Sequence, residues 1–79
     1  MEILAPVTGI VWYILVDEGD VVSCGDTLII LESMQMEVNI DTAVNGRVAK
    51  ILRAQGETIF RDEPILVLKQ TSLSAEARP

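Results

Sequence analysis

The chain has no histidine and a single cysteine, Cys24, among its 79 residues. Without imidazole, the common zinc sites, histidine-based triads and imidazole acid–base chemistry lose their usual residue. One cysteine cannot form an internal disulfide, and its lone presence fits a reducing compartment. Aromatic residues make up only 4% against 49% hydrophobic residues, so the core must be aliphatic. Cations are scarce: 6 Lys and Arg face 12 Asp and Glu, for a formal net charge of -6 and a pI near 4.3. That balance argues against nucleic acid, whose phosphates demand basic patches, and suits a partner with a basic cleft. No apolar run reaches the roughly 18 to 20 residues that cross a bilayer. Nor does a charged-then-apolar leader open the chain. The expectation is a soluble protein of the cytoplasm, or of an organelle matrix in a eukaryote, with no membrane partner.

What the chain does contain is a copy of itself. A shift of 37 positions, which lays Gly46 on Gly9, aligns the halves without a gap. Val7 then meets Val44, Val11 meets Val48, Ile14 meets Ile51, Leu15 meets Leu52, Gly19 meets Gly56 and Leu31 meets Leu68. Between them, Asp20 meets Glu57, Val22 meets Ile59, Asp26 meets Glu63 and Leu28 meets Ile65. Apolar positions and glycines coincide while surface positions drift, as a shared backbone requires.

Each half reads as a glycine turn, a strand (Ile10 to Val16; Arg47 to Arg53), a second glycine turn and a short strand. A further turn then leads to an apolar strand (Leu28 to Leu31; Ile65 to Leu68). Turns every 8 to 12 residues or so, with no helical stripe between caps, indicate an all-β sandwich or barrel. Alternation fails between Val48 and Ile51, which predicts a bulge or bend there. Duplicated halves of this kind close most simply into a flattened β-barrel, a barrel-sandwich hybrid of two antiparallel sheets that cover each other's apolar faces. Residues 1–69 form this single domain. Residues 70–79 lose the apolar pattern and are expected to be a flexible C-terminal tail.

Between the repeats, the strand Leu28 to Glu32 must hand over to Glu37 to Ile40 across Ser33, Met34, Gln35 and Met36. A tight hairpin there projects its tip from the body. Met-Gln is poor primed-turn chemistry, because such turns favour Asn-Gly or Asp-Gly at their left-handed centre. A turn that local rules would not choose is a candidate functional site.

At Glu32-Ser33-Met34-Gln35-Met36-Glu37 the chain resembles the biotinyl domains (biotin carboxyl carrier proteins) of the biotin/lipoyl attachment family. Ala5-Pro6-Val7-Thr8-Gly9, Glu18-Gly19-Asp20, Gly25-Asp26-Thr27-Leu28, Asn45-Gly46-Arg47-Val48 and Asp62-Glu63-Pro64-Ile65 extend the likeness from Ile3 to Leu68. The resemblance implies a flattened barrel of two four-stranded sheets with a quasi-twofold repeat. In the family an Ala-or-Ser, Met, Lys, Met motif carries biotin on its lysine; here Gln35 stands at that place. Its amide nitrogen is delocalised into the carbonyl and is no nucleophile, so biotin, the family's covalent cofactor, is not attachable there. The intact flanking motif favours a deliberate substitution over natural loss. The paired methionines separate the motif from the lipoyl branch, which usually carries Asp-Lys-Ala.

The resemblance further implies a non-catalytic carrier component of a biotin-dependent carboxylase or decarboxylase. Its partners would be biotin protein ligase and the biotin carboxylase and carboxyltransferase subunits or domains, between which a swinging arm moves a carboxyl group. No insert interrupts the first half, so the thumb of some acetyl-CoA carboxylase carriers is not expected. A lipoyl-type carrier and a non-carrier protein-binding module of the same fold are the alternatives. Met34 and Met36 read as recognition residues, with core packing the competing role. Glu32 and Glu37 read equally as a solvated face or as charge guides toward the ligase. Asp17-Glu18-Gly19-Asp20 lacks the spaced ligands of a calcium loop, so no metal site is expected. Cys24 reads as an incidental surface thiol. Trp12 and Tyr13 align with Ala49 and Lys50, so the repeat does not require their burial, and they are candidates for a docking surface. Lys50 and Lys69, the two lysines present, lie away from the hairpin tip.

Overall fold

Eight short strands follow one another in the computed structural model, which describes residues 1–70. They are β1 (Glu2–Leu4), β2 (Gly9–Ile14), β3 (Val21–Val22), β4 (Thr27–Ser33), β5 (Met36–Asp41), β6 (Gly46–Ile51), β7 (Thr58–Ile59) and β8 (Pro64–Gln70). They pair into two four-stranded antiparallel sheets, ordered β1-β8-β6-β3 and β5-β4-β2-β7. A shift of one repeat carries β1 to β5, β2 to β6, β3 to β7 and β4 to β8, and so carries one sheet order onto the other. Neither sheet is built from one half alone. Each takes two strands from each repeat, so a half by itself completes no sheet.

The repeat holds down to single hydrogen bonds. Val11 N–H donates to Glu57 O at 2.9 Å, and Val48 N–H donates to Asp20 O at 2.8 Å. Gly56 N–H donates to Val11 O and Gly19 N–H to Val48 O, each at 2.7 Å. Ile10 opposes Glu32 and Val11 opposes Leu31 in β2–β4, as Arg47 opposes Lys69 and Val48 opposes Leu68 in β6–β8. Inward positions make an aliphatic core: Val11, Leu28, Ile29, Leu31, Ile59, Ile65, Leu66 and Leu68 are fully buried. Burial of such side chains, at about 25 cal/mol per Å² of apolar area, is the main term that stabilises the domain.

The expected bulge lies between Val48 and Lys50, and an equivalent one lies between Val11 and Tyr13. Sequence alternation could not show the second, because Ile10 to Val16 is apolar or aromatic throughout. β2 and β6 end at Ile14 and Ile51, two residues short of the expected limits. The chain there already bends toward the Asp17–Asp20 and Ala54–Glu57 turns, leaving one ladder bond each from Leu15 and Leu52. β4 and β8 run two residues past their expected ends, with Gln70 paired to Gly46. The rest of the expected tail lies outside the described residues.

Candidate functional site

The β4–β5 hairpin has the longest ladder among the described strands, running from Thr27↔Asp41 to Ser33↔Met36. Only Met34 and Gln35 remain to turn the chain, and both take positive φ, 52° and 66°. Two successive left-handed residues are what a primed two-residue turn requires, because its twist matches that of the strands. Neither residue is glycine, and the left-handed conformation costs a residue with a Cβ roughly 1–2 kcal/mol. The long strand ladder holds the tip in this shape.

The tip end of the stem is fixed as well. Ser33 Oγ donates to Thr8 O at 2.8 Å, tying β4 to the Ala5–Gly9 turn. Thr8 Oγ1 in turn accepts from Arg61 N–H at 2.9 Å. Beside them Gly9 crosses β4 so closely that a Cβ would lie 2.5 Å from Glu32 O. Glycine is required there by contact rather than by φ.

At the apex, Met34 is 92% exposed and Met36 68% exposed, so neither fills a core gap. Gln35 is exposed, and its side chain makes no hydrogen bond among the described residues. Glu32 and Glu37 are directly opposed across the ladder just behind the tip. The structure thus brings the six motif residues together as one protruding loop and its stem. With Met34, Gln35 and Met36 all exposed, the apex presents its side chains to solvent. A carboxamide at that apex can donate and accept hydrogen bonds but offers no basic lone pair.

The other residues singled out in the sequence fall elsewhere. Asp20 accepts from Asp17 N–H at 2.8 Å, which gives its carboxylate a turn-forming role. Cys24 is exposed, and its Sγ donates to Ala43 O at 3.3 Å. Lys50 and Lys69 are exposed on the sheet without the hairpin, on β6 and β8. Trp12 and Tyr13 are 36% and 51% exposed, with ring centroids 5.7 Å apart. Sequence reasoning missed the Thr8–Ser33 anchor and the Glu32–Glu37 opposition. The second was within reach, since a two-residue loop at Met34-Gln35 dictates that register.

A barrel of two interleaved four-stranded sheets with one anchored, strained hairpin between its repeats defines a class of carrier-type domain. The family model described as "Biotin-requiring enzyme", of biotin/lipoyl type, matches residues 3–68, and the chain belongs to this family. It is 34% identical over 67 residues to the Biotinylated protein TB7.3 homolog of Mycobacterium leprae, covering 85% of this chain and 94% of that protein. It is 31% identical over 67 residues to the alpha subunit of mouse mitochondrial methylcrotonoyl-CoA carboxylase, covering 85% of this chain but 9% of that subunit. Among solved structures, Kluyveromyces lactis urea carboxylase matches with a TM-score of 0.83 and 29% identity over 87% of this chain and 6% of the enzyme. A single-chain, multi-domain long-chain acyl-CoA carboxylase matches with a TM-score of 0.86 and 26% identity, over 94% of this chain and 8% of the enzyme. The fold is that of the biotin carboxyl carrier region of carboxylases.

Proposed function

We propose that the chain is a biotin carboxyl carrier domain whose attachment position is occupied by Gln35, which leaves it unable to accept biotin. The observation that carries this reading is the placement of Gln35 at the centre of a Met-Gln-Met apex, exposed and strained, on a family member's anchored hairpin. A lysine there would extend its amine into solvent, free for a biotin protein ligase to acylate. Met34, Met36, Glu32, Glu37 and Ser33 then form the surface that the ligase reads. With biotin attached, the domain would carry a carboxyl group from a biotin carboxylase site to a carboxyltransferase site. Tethering raises the cofactor's effective concentration at both without any bond chemistry by the domain itself. Among the described residues no helix is long and apolar enough to cross a membrane, which accords with work in the cytoplasm or an organelle matrix.

The test is intact mass after incubation of this chain and its Gln35→Lys variant with biotin protein ligase, ATP and biotin. The expected result is one biotinyl group on the variant and none on the parent chain. Lipoylation of the variant by a lipoate ligase in place of biotinylation would move the assignment to the lipoyl branch. No modification of either would leave the fold as a protein-binding module.

A further inference from the structure

The outer faces of the two sheets share one backbone but not one surface. On the hairpin sheet, Ile10, Glu32 and Glu37 form one cross-strand row, and Tyr13, Ile30 and Asn39 form the next. The bulge between Val11 and Tyr13 sets two consecutive residues against the single residue Ile30. Neighbours in a regular strand point to opposite faces, yet the Trp12 and Tyr13 rings lie 5.7 Å apart, tilted by 51°. The bulge thus turns two aromatic rings to the same, solvent side, with Ile10 beside them 42% exposed.

The charge on this face is one-signed. Glu32, Glu37 and Asp41 lie on it or at its edge, and β2, β4, β5 and β7 contain no Lys or Arg. Glu32 and Glu37 are direct cross-strand partners, an arrangement that like charges destabilise and a cation relieves. Aromatic faces next to carboxylates select a guanidinium above other cations: it is planar, weakly hydrated, stacks on rings and forks onto carboxylates.

From this we infer that the outer face of the hairpin sheet, centred on Trp12 and Tyr13 and rimmed by Glu32, Glu37 and Asp41, docks an arginine-bearing protein surface. On the carrier reading, on which this part rests, that surface belongs to the enzyme the carrier serves. Strands are about 4.8 Å apart, so a face three strands wide spans on the order of 10–15 Å and buries little. Interfaces of that size are weak and transient, as a visiting carrier needs. A second copy of this chain is a poorer occupant. Of the exposed cations on its other sheet, Arg47, Lys50 and Lys69, only Arg47 is a guanidinium; its Nη1 already donates to Gly19 O at 2.8 Å, and a net charge of -6 makes copies repel.

The test titrates the ¹⁵N-labelled chain with the peptide acetyl-Gly-Arg-Leu-Arg-Gly-amide and with a twin carrying glutamine for both arginines. Expected are saturable shifts of the Trp12 indole N–H and of the Ile10, Tyr13, Ile30, Glu32 and Glu37 amides with the arginine peptide alone. Raising salt from about 0.02 to 0.3 M should weaken them, since the Debye length shrinks to several ångströms. Loss of either ring should weaken binding about two- to five-fold. The paired Trp12→Ala, Tyr13→Lys variant installs the residues that Ala49 and Lys50 supply at the same bulge of the other repeat, so the fold tolerates it. It should abolish the shifts while keeping a dispersed spectrum. Equal shifts with the glutamine twin, shifts that survive in the paired variant, or none with either peptide overturn the proposal. So do concentration-dependent shifts without peptide, which would make the occupant a second copy. Biotinylation of Gln35→Lys is read at the hairpin tip and does not need Trp12 or Tyr13, so the two readings can fail separately.

Discussion

The two repeats form one backbone twice, and they differ where the backbone leaves a choice. Leu31 and Leu68 are both fully buried, and each opposes a buried valine across its sheet. Gly9 and Gly46 would each drive a Cβ into a carbonyl, 2.5 Å from Glu32 O and 2.7 Å from Lys69 O. Outward, the symmetry stops. Ile10 and Glu32 face each other where the other sheet sets Arg47 against Lys69. Packing tolerates little variation at interior density, whereas an outward position is constrained only by what approaches it. The shared residues therefore specify the barrel, and the divergent ones are where function is sought.

If the core is truly shared, matched substitutions should cost the same. Leu31→Ala and Leu68→Ala are each expected to destabilise by about 2–5 kcal/mol, by lost transfer energy and the cavity left behind. Urea denaturation of the pair checks it. A gap much wider than about 1 kcal/mol between them would break the symmetry that the hydrogen bonds display. Gly9→Ala and Gly46→Ala come next, at about 1–3 kcal/mol each, because backbone rather than a flexible side chain must move. Here a difference is expected in a second readout. Gly9→Ala pushes on Glu32 and should shift the Ser33 to Met36 amides in an NMR spectrum, which Gly46→Ala should leave in place.

The hairpin tip sharpens the comparison, since the described second half has no counterpart to it. Met34→Asn with Gln35→Gly supplies the residues a primed turn prefers, setting a residue that tolerates the left-handed region at the first position and removing the Cβ at the second. It is expected to stabilise the domain by about 1–2 kcal/mol, measured as a raised denaturation midpoint with unchanged slope. No loss of core contact is involved, because Met34 is 92% exposed. A gain in stability from deleting the motif would mark the native tip as retained for what it presents rather than for how it folds.

Much of this was legible in the sequence because duplication reports on backbone geometry. The gapless repeat pointed to two similar sheets, the turn glycines and the hairpin at the repeat boundary, and broken alternation between Val48 and Ile51 marked one bulge. The bulge after Val11 was hidden, because Trp12 and Tyr13 are exposed yet hydrophobic, and binary patterning cannot tell such residues from core. That bulge brings the two rings to one face, so the aromatic pair was visible as residues but not as a surface. The Thr8–Ser33 hydrogen bond spans 25 positions and leaves no periodic trace. Of the site, the tip itself came through poor turn chemistry and family resemblance, not through propensity.

The finest test of the shared backbone lies in a turn. Gly25 has φ 96° and donates its N–H to Thr42 O; one repeat later Asp62 has φ 70° and donates its N–H to Ala5 O. The same left-handed step is thus taken once by glycine and once by a residue with a Cβ. Aspartate visits this region more readily than most residues, but glycine does so without the steric cost. Asp62→Gly removes that strain while adding unfolded-state freedom, so the two terms oppose and the net change should stay within about 1 kcal/mol. Gly25→Ala carries the same two terms with their signs reversed, but at φ 96° the strain exceeds the unfolded-state gain of about 0.4–1 kcal/mol, so the variant should be destabilised overall. The two turns also keep the same carboxylate closure, with Ser23 N–H donating to Asp26 Oδ2 at 2.8 Å and Phe60 N–H to Glu63 Oε1 at 2.9 Å. Because that closure persists, a destabilisation by Asp62→Gly as large as that by Gly25→Ala would mean Asp62 makes a contribution its glycine counterpart does not. Thermal denaturation of both variants decides it, with the repeat's equivalence at stake in the smallest of these effects.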